Sequence, residues 1–441
     1  AYVTFNKTFA EKHYLNVIMG FNQEEYRYNQ QNMSKTQLIT QSLPTVQLAY
    51  GTPTVEESTE TWALRGMYGR LNYIFDHKYI FEFDFRRDGT SRFPKNDRFV
   101  FNPSASIGWL LSEEKFFSPL KNTIDLFKFR ASYGRLGNQD VSAYAYIPIM
   151  NSYKSSLILS GNQPMVVGSP GLIAGDLTWE KVTTANYGID LAFLKNRLNF
   201  TGDIYRRDTK DMLTTGEVLP TVLGTSVPQE NAADLKTVGF DLTIAWRDKV
   251  KLAGKPLQYS IDFNLSDSQS EITKFSNPTG TLTSYYKGMK IGEIWGLNAV
   301  GLYSTAEEAK NGPDQTEILV SPAKYPAQAG SINYEDRDKD GKISRGSYTL
   351  NDHGDLYKIG NSSVRYRFGS TFSANWNGLD FSIFFQGVMK RQYYPGSSDR
   401  LFWGKYSAPW YSEMEGHYYD RWRDDNQNTN SYWPVLNHRS A

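Results

Sequence analysis

The sequence of 441 residues contains no cysteine, which excludes disulfides, thiolate metal ligands and a cysteine nucleophile. It also lacks any run of the ~18 consecutive apolar residues that a membrane-spanning helix requires. The formal net charge is only +1, which argues against nucleic acid as the main partner. The five histidines have no metal-ligand spacing, and neither a G-x-S-x-G nor an H-E-x-x-H motif occurs. Ala1 opens no signal peptide, so we expect a mature product or a fragment.

Aromatic residues, by contrast, are abundant in a chain that is polar as a whole. They make up 15% of the residues, while the mean hydropathy is −0.54. In the segment "YIFEFDF" (79–85), Phe81, Phe83 and Phe85 alternate with Glu82 and Asp84. Period-two alternation is typical of a β-strand, because successive side chains point to opposite faces. The pattern recurs along the chain and predicts strands with one apolar and one charged face.

The alternating segments are long for a soluble protein. Strands in globular proteins usually have ~5–6 residues, whereas a tilted membrane-spanning strand needs ~9–11. We predict twelve strands, at residues 1–9, 13–32, 61–75, 78–87, 98–111, 125–137, 179–193, 197–212, 232–247, 257–272, 362–376 and 379–392.

The connections between these segments alternate between short and long. One short connection is Asn377 and Gly378, a pair that is typical of a type I′ hairpin turn. Alternation of this kind indicates an up-and-down membrane barrel, with tight periplasmic turns on one rim and large extracellular loops on the other. The predicted fold class is thus all-β, a transmembrane antiparallel β-barrel spread over 1–441. Residues 273–361 form a large extracellular excursion and 393–441 an extracellular loop. A soluble sandwich or propeller would not need this alternation.

One motif has the spacing of a metal-binding loop. In "DRDKDGKIS" (336–344), Asp336, Asp338 and Asp340 precede a glycine, as in the opening of a calcium loop. The backbone carbonyl of Lys342 would supply the next ligand, and the apolar Ile343 would anchor the loop. The twelfth position is Ser347 instead of a bidentate glutamate, so a closing carboxylate would come from Asp352 or Asp355. We predict a structural calcium site, with an acidic solvated turn as the alternative.

Two other groups of side chains allow a functional and a structural interpretation. Glu82 and Asp84 have the residue types of a glycosidase pair, but they are also expected in the charged lining of a barrel. That lining is predicted to contain Glu82, Asp84, Arg86, Lys128, Arg130, Asp190, Asp203 and Asp241. Near the C-terminus, aromatic residues would either stack on sugars or a partner, or form the core of a loop: Trp403, Trp410, Tyr411, Trp422 and Trp433.

Several long motifs resemble one family. The segment "KYIFEFDFRRDGTSRFPKNDRFVFNPSASIGWLLSEEKFF" (78–117) is similar to the barrel signature of the SusC/RagA-like TonB-dependent outer-membrane transporters of Bacteroidetes. Further similar segments follow in the same order at 127–139, 177–213, 231–246, 329–344, 358–387 and 418–436. Together they extend over essentially the whole chain.

The resemblance implies a plugged barrel of about 22 strands, of which this chain would supply about twelve, and a full protein roughly twice as long. It implies import of a large nutrient, a glycan or a peptide, together with a SusD-like surface lipoprotein. Energy would come from the inner-membrane TonB–ExbB–ExbD complex through a preceding N-terminal region. The plug, the TonB box and the carboxypeptidase-like domain are expected outside this chain.

We therefore expect an outer-membrane transporter in contact with outer-membrane lipids, not an enzyme. A porin-like diffusion channel is the first alternative. A soluble all-β glycan-active enzyme that uses Glu82 and Asp84 is the second.

Overall fold

The computed structural model describes residues 1–175, 177–216, 227–318, 326–396, 399–406 and 410–436. Within them, twelve long strands form one sheet: β1 (Tyr2–Phe9), β2 (His13–Ser34), β3 (Thr54–Phe75), β4 (Tyr79–Thr90), β5 (Phe99–Leu110), β6 (Ile124–Asn138), β9 (Glu180–Phe193), β10 (Leu198–Thr215), β11 (Gln229–Leu252), β12 (Lys255–Lys274), β17 (Arg365–Trp376) and β18 (Leu379–Lys390). The others are short: β7 (Ser152–Lys154), β8 (Met165–Val167), β13 (Glu293–Gly296), β14 (Ala299–Leu302), β15 (Ile332–Tyr334) and β16 (Tyr357–Asn361).

The long strands follow one another in the sheet in chain order. From β1 to β11 every neighbouring pair is antiparallel, which makes the sheet an up-and-down meander. Each of the twelve predicted strands is present, and the all-β prediction is confirmed. In the described part of the chain the sheet order begins at β1 and ends at β18, without a pairing between these two strands.

Most of the short connections are tight hairpin turns, although the one between β5 and β6 contains two 3-10 turns. Asn377 and Gly378 both have positive φ, 50° and 84°, as a type I′ turn requires. Ala253 and Gly254 form an equivalent turn between β11 and β12, with φ of 49° and 78°. The sequence predicts a connection of nine residues there, at 248–256, but the two strands extend almost to each other, with β11 ending at Leu252 and β12 beginning at Lys255.

The register separates an apolar face from a polar face. One row across consecutive strands contains Tyr73, Phe81, Ile107, Ala131, Tyr187, Ile204 and Phe240. The next row along the same strands contains Asn72, Glu82, Ser106, Ser132, Asn186, Tyr205 and Gly239. No other part of the described chain covers the apolar row, since Ile107 is 54% and Ile204 62% exposed.

Contacts divide the chain into two compact units. The first contains Ala1–Leu265 and Gly369–Phe385, and it holds most of the large sheet. The second contains Ser266–Phe368 and Gln386–Ala441. In the second unit, β13 pairs with β16 and β14 with β15.

Helices are short. They are α1 (Ala306–Asn311), α2 (Arg400–Trp403) and α3 (Glu415–Tyr419), with 3-10 turns at Val46–Leu48, Leu111–Glu113, Lys115–Leu120 and Gly404–Tyr406. Among the described residues, none of the helices has the length and apolar character needed to cross a bilayer.

Candidate functional site: the polar face of the sheet and the acidic loop

The polar face is lined by charged side chains that bind one another. Arg130 on β6 donates to both Asp190 oxygens at 2.9 and 3.0 Å and to both Asp203 oxygens at 3.0 and 2.9 Å. These are two bidentate ion pairs, the strongest geometry for arginine and carboxylate. All three side chains are only partly exposed, which makes the ion pairs less screened than surface pairs.

A glycine provides the space for this arginine. Arg130, Gly188, Asp203 and Asp241 lie directly opposite one another on β6, β9, β10 and β11. A Cβ atom at Gly188 would lie 2.4 Å from Asp203 Oδ1 and 2.7 Å from Arg130 Cζ. A side chain at this position would therefore displace the guanidinium or the Asp203 carboxylate, and glycine leaves room for both ion pairs. The alternation in the sequence predicts that these charged side chains share one face, but it does not predict that Arg130 crosses Gly188.

Glu82 and Asp84 are also engaged by neighbours. Arg70 Nε donates to Asp84 at 2.7 Å, and its Nη2 lies 3.9 Å from Glu82. Asn72 donates to Glu82 at 3.1 Å. Both carboxylates thus have cross-strand partners on β3, which favours a structural lining over a glycosidase pair.

The apolar face carries stacked aromatic rings near the short turns. Tyr79 stacks on Trp109 at 6.4 Å and on Phe75 at 6.2 Å. The Tyr79 hydroxyl and the Trp109 indole both donate to Glu114, at 2.6 and 3.1 Å. Rings that are apolar on one side and hydrogen-bonded at the edge are typical of the aromatic girdle of membrane proteins.

At the opposite end of the strands, the long connections have a small core of their own. Phe93 is fully buried and packs on Trp179 with ring centroids 5.3 Å apart. The Trp179 indole donates to the Arg98 carbonyl at 3.1 Å, and Arg92 donates to the Val141 carbonyl at 2.7 Å. The segment 88–93 is thereby held against a loop about 50 residues away. Alternation does not predict this core, because Phe93, Val141 and Leu177 lie outside the strands.

The acidic loop brings its three aspartates together. One carboxylate oxygen from each of Asp336, Asp338 and Asp340 lies within 4.8 Å of the others. Asp336 accepts from the amides of Lys339 at 2.7 Å and Gly341 at 2.9 Å, so the backbone wraps around this carboxylate. Gly341 has a φ of 85°, the conformation that glycine adopts most easily.

The electrostatics of the loop indicate repulsion between these groups. The Asp340 amide, which donates to Asp338, lowers the pKa of Asp338. Lost hydration and the nearby charges of Asp340, Asp355 and Asp336 outweigh this, so the pKa of Asp338 is raised. Three oxygen ligands that repel one another fit a hard divalent cation such as Ca²⁺.

The two candidates for a closing carboxylate have other partners. Asp352 accepts from the amide and hydroxyl of Ser347. Asp355 is buried and accepts from the amides of Arg337 at 2.7 Å and Ser344 at 2.8 Å. Asp355 therefore positions both ends of the loop. Ile343 is fully buried, which agrees with its predicted anchoring role.

The C-terminal aromatic residues mostly form a loop core. Trp433 stacks on Tyr406 at 5.2 Å and contacts His417 at 4.3 Å. Burial raises the pKa of Tyr406 to about 12. Trp422 is also buried, whereas Trp410 is 80% exposed. Of the five aromatic residues near the C-terminus that the sequence analysis considered, only Trp410 is mostly exposed to solvent.

Comparison with known sequences gives a family match. The profile of the family described as "TonB dependent receptor-like, beta-barrel" matches residues 2–301. TonB-dependent receptor P39 of Formosa agariphila is 27% identical over 410 residues, which cover 87% of this chain and 38% of that protein. TonB-dependent receptor SusC of Bacteroides thetaiotaomicron is 26% identical over 337 residues, which cover 74% of this chain and 31% of that protein.

Solved structures agree on the fold. The RagAB peptide importer in its "open-open" state superposes with a TM-score of 0.73 at 20% identity, over all of this chain and 45% of that one. A further structure of the RagAB peptide transporter gives 0.72 at 19% identity, over all of this chain and 46% of that one. The chain thus spans between 31% and 46% of the length of these four proteins.

Proposed function

Because this chain belongs to the TonB-dependent receptor-like β-barrel family of the bacterial outer membrane, we propose that it is the barrel portion of an active transporter for a large nutrient, a glycan or a peptide. The observation that carries the proposal is the two-faced sheet. Its apolar row meets no other part of the described chain, while its polar row is tied together by ion pairs. Such a sheet needs lipid on one side and a wet interior on the other.

The long connections are the surface proposed to bind a SusD-like lipoprotein. Residues 275–364 and those that follow β18 leave the sheet from the ends of strands opposite the tight turns. Their described residues form buried cores around Tyr286 and around Trp433, so these parts are folded elements instead of loose loops. A folded segment can present a fixed surface to a lid. Energy would come from TonB–ExbB–ExbD through parts of the protein other than this barrel segment.

We further propose that the acidic loop binds Ca²⁺ through Asp336, Asp338, Asp340 and the Lys342 carbonyl. Support comes from the clustered carboxylates and from the raised pKa of Asp338, which a divalent cation would reverse. The ion would be structural, since it would hold together a loop whose ends Asp355 already fixes. It would stiffen the 273–361 excursion against the lid.

Growth of the source bacterium tests active transport against passive diffusion. Strains lacking this gene, or lacking TonB, would be grown on single glycans and on single peptides as sole nutrient. We expect both strains to lose growth on the same nutrient. Growth that requires the gene but not TonB would identify a porin-like channel and contradict the proposal. Co-purification of a surface lipoprotein with the full-length protein tests the proposed lid.

A further inference from the structure

Two neighbouring arginines lie on the apolar side of the sheet. Arg87 on β4 points to the same side as Phe81, and its register partners are Met67 on β3 and Phe101 on β5. Arg65 is the next residue on this face of β3 beyond Met67. Both arginines are exposed. An otherwise apolar face thus carries two adjacent guanidinium groups at its long-connection end.

These positive charges have no negative partner on their face of the sheet. Every second residue in 65–75, 79–89 and 99–109 shares this face, and none of them is an aspartate or a glutamate. Among the described residues neither arginine forms an ion pair. The Arg87 guanidinium lies 5.2 Å from the centroid of the Phe99 ring, which holds it against the sheet. The two arginines therefore form a patch of uncompensated positive charge.

The spacing along the strands sets the height of these charges in the membrane. Tyr79 belongs to the aromatic girdle near the short turns, and Arg87 follows it on the same strand. At about 3.3 Å per residue and a strand tilt of about 40°, Arg87 lies about 20 Å above the girdle. Arg65 lies about 25 Å above Phe75 by the same measure. The apolar band of such a barrel is about 25 Å tall, so both arginines reach the opposite interface.

We propose that Arg65 and Arg87 bind a phosphate group on the lipid A headgroup of lipopolysaccharide in the outer leaflet. The inference depends on the membrane location of the barrel and goes beyond its transport function. The long connections of such barrels are extracellular, so the interface at this end is the outer one. Lipid A carries its phosphate next to its acyl chains, at the height of these side chains. A guanidinium group binds phosphate through two parallel hydrogen bonds, and two adjacent guanidinium groups can share one phosphate.

The surroundings of the two arginines suit a lipid better than a soluble anion. Met67, Phe99 and Phe101 are exposed beside them. Phe83 and Phe85 continue this apolar surface toward the middle of the bilayer. Acyl chains can pack on these side chains while the phosphate of the same molecule contacts the guanidinium groups. A soluble anion would bind the charges but leave the apolar surface uncovered.

Native mass spectrometry of the delipidated full-length protein in detergent tests this inference. The probes are phosphorylated lipid A, the same lipid A after enzymatic removal of its phosphate, and phosphatidylglycerol, whose phosphate is a diester with a single charge. We expect the wild type to bind phosphorylated lipid A about tenfold or more tightly than either of the other two lipids. Replacing both arginines, Arg65→Gln with Arg87→Gln, should weaken this binding about tenfold or more. Arg87→Lys should retain part of the affinity, because lysine keeps the charge without the paired donors.

The matched control is Arg206→Gln with Arg207→Gln, which removes the same number of positive charges from β10. Arg206 lies on the apolar face but is paired with Asp208, and Arg207 lies on the polar face. This variant should bind phosphorylated lipid A as the wild type does, and equal unfolding temperatures would show that all variants fold. Equal binding by the two double variants would overturn the proposal. So would wild-type protein that binds phosphate-free lipid A or phosphatidylglycerol as tightly as phosphorylated lipid A.

Discussion

The ion pairs of Arg130 give the sharpest prediction about the polar face. Arg130→Gln removes the guanidinium that joins Asp190 to Asp203 and leaves two carboxylates on neighbouring strands. Asp241 is the register partner of Asp203, so a third carboxylate lies on the next strand. We expect the substitution to destabilise the barrel strongly, although the side chain lies on its wet face.

The size of the effect follows from the contacts. Four charge-assisted hydrogen bonds at about 1.5 kcal/mol each would give at most about 6 kcal/mol if they were additive. The side chain of Arg130 is 32% exposed, and Lys128 is the register partner of Asp190. Water and Lys128 therefore recover part of the loss. We expect a decrease of about 2–4 kcal/mol in the free energy of unfolding, below the value for a fully buried pair.

Urea unfolding of the full-length protein in lipid vesicles measures this decrease. The control is Arg206→Gln, which removes a bidentate pair with Asp208 whose arginine is 61% exposed. Exposed pairs contribute little, so this variant should resemble the wild type. Adding Asp203→Asn to Arg130→Gln should restore part of the stability, because it removes one uncompensated charge. An Arg130 variant no less stable than the Arg206 variant would refute the reasoning.

Three further predictions concern the lipid face and the acidic loop. Phe83→Arg should cost about 2–4 kcal/mol in the same unfolding assay, as for a cation in the bilayer, while Ser106→Arg on the polar row should cost much less. The raised pKa of Asp338 means that the folded, metal-free loop binds this proton more tightly than the unfolded chain does. Without calcium, in EGTA, the loop's resistance to protease should therefore increase as the pH falls from about 7 to about 4. The protection that added calcium gives should be lost over the same pH range. A calcium effect independent of pH would contradict the site. Asp355→Asn leaves one of two partly buried amides without its carboxylate partner, so it should weaken calcium protection by about 1–3 kcal/mol. Calcium protection equal to that of the wild type would argue against a positioning role for Asp355.

The strands were predictable because the alternation of side chains is a local property. The family prediction from the quoted motifs is confirmed by the match over residues 2–301. A predicted strand is too short where the alternation of apolar and polar side chains fades. β3 begins at Thr54 instead of residue 61, in a stretch rich in Thr, Glu and Ser. There both faces of the strand meet water, so no apolar period marks it.

Contacts between distant segments were not predictable in the same way. The packing of Phe93 on Trp179 joins two loops, and the space for Arg130 at Gly188 depends on the register of four strands. Neither contact produces a periodic pattern in the sequence. The acidic loop is the opposite case, since its three carboxylates are close in sequence and the prediction of their clustering needed only local geometry.

The central claim is that the apolar row faces lipid. Because the chain has no cysteine, single cysteines at positions 81, 82, 83 and 84 can each be labelled with bimane in full-length protein with any other cysteine replaced. In vesicles of brominated lipid, we predict strong quenching at Phe81→Cys and Phe83→Cys and weak quenching at Glu82→Cys and Asp84→Cys. Equal quenching at all four positions, or the inverse pattern, would contradict a barrel wall with its aromatic side in the membrane.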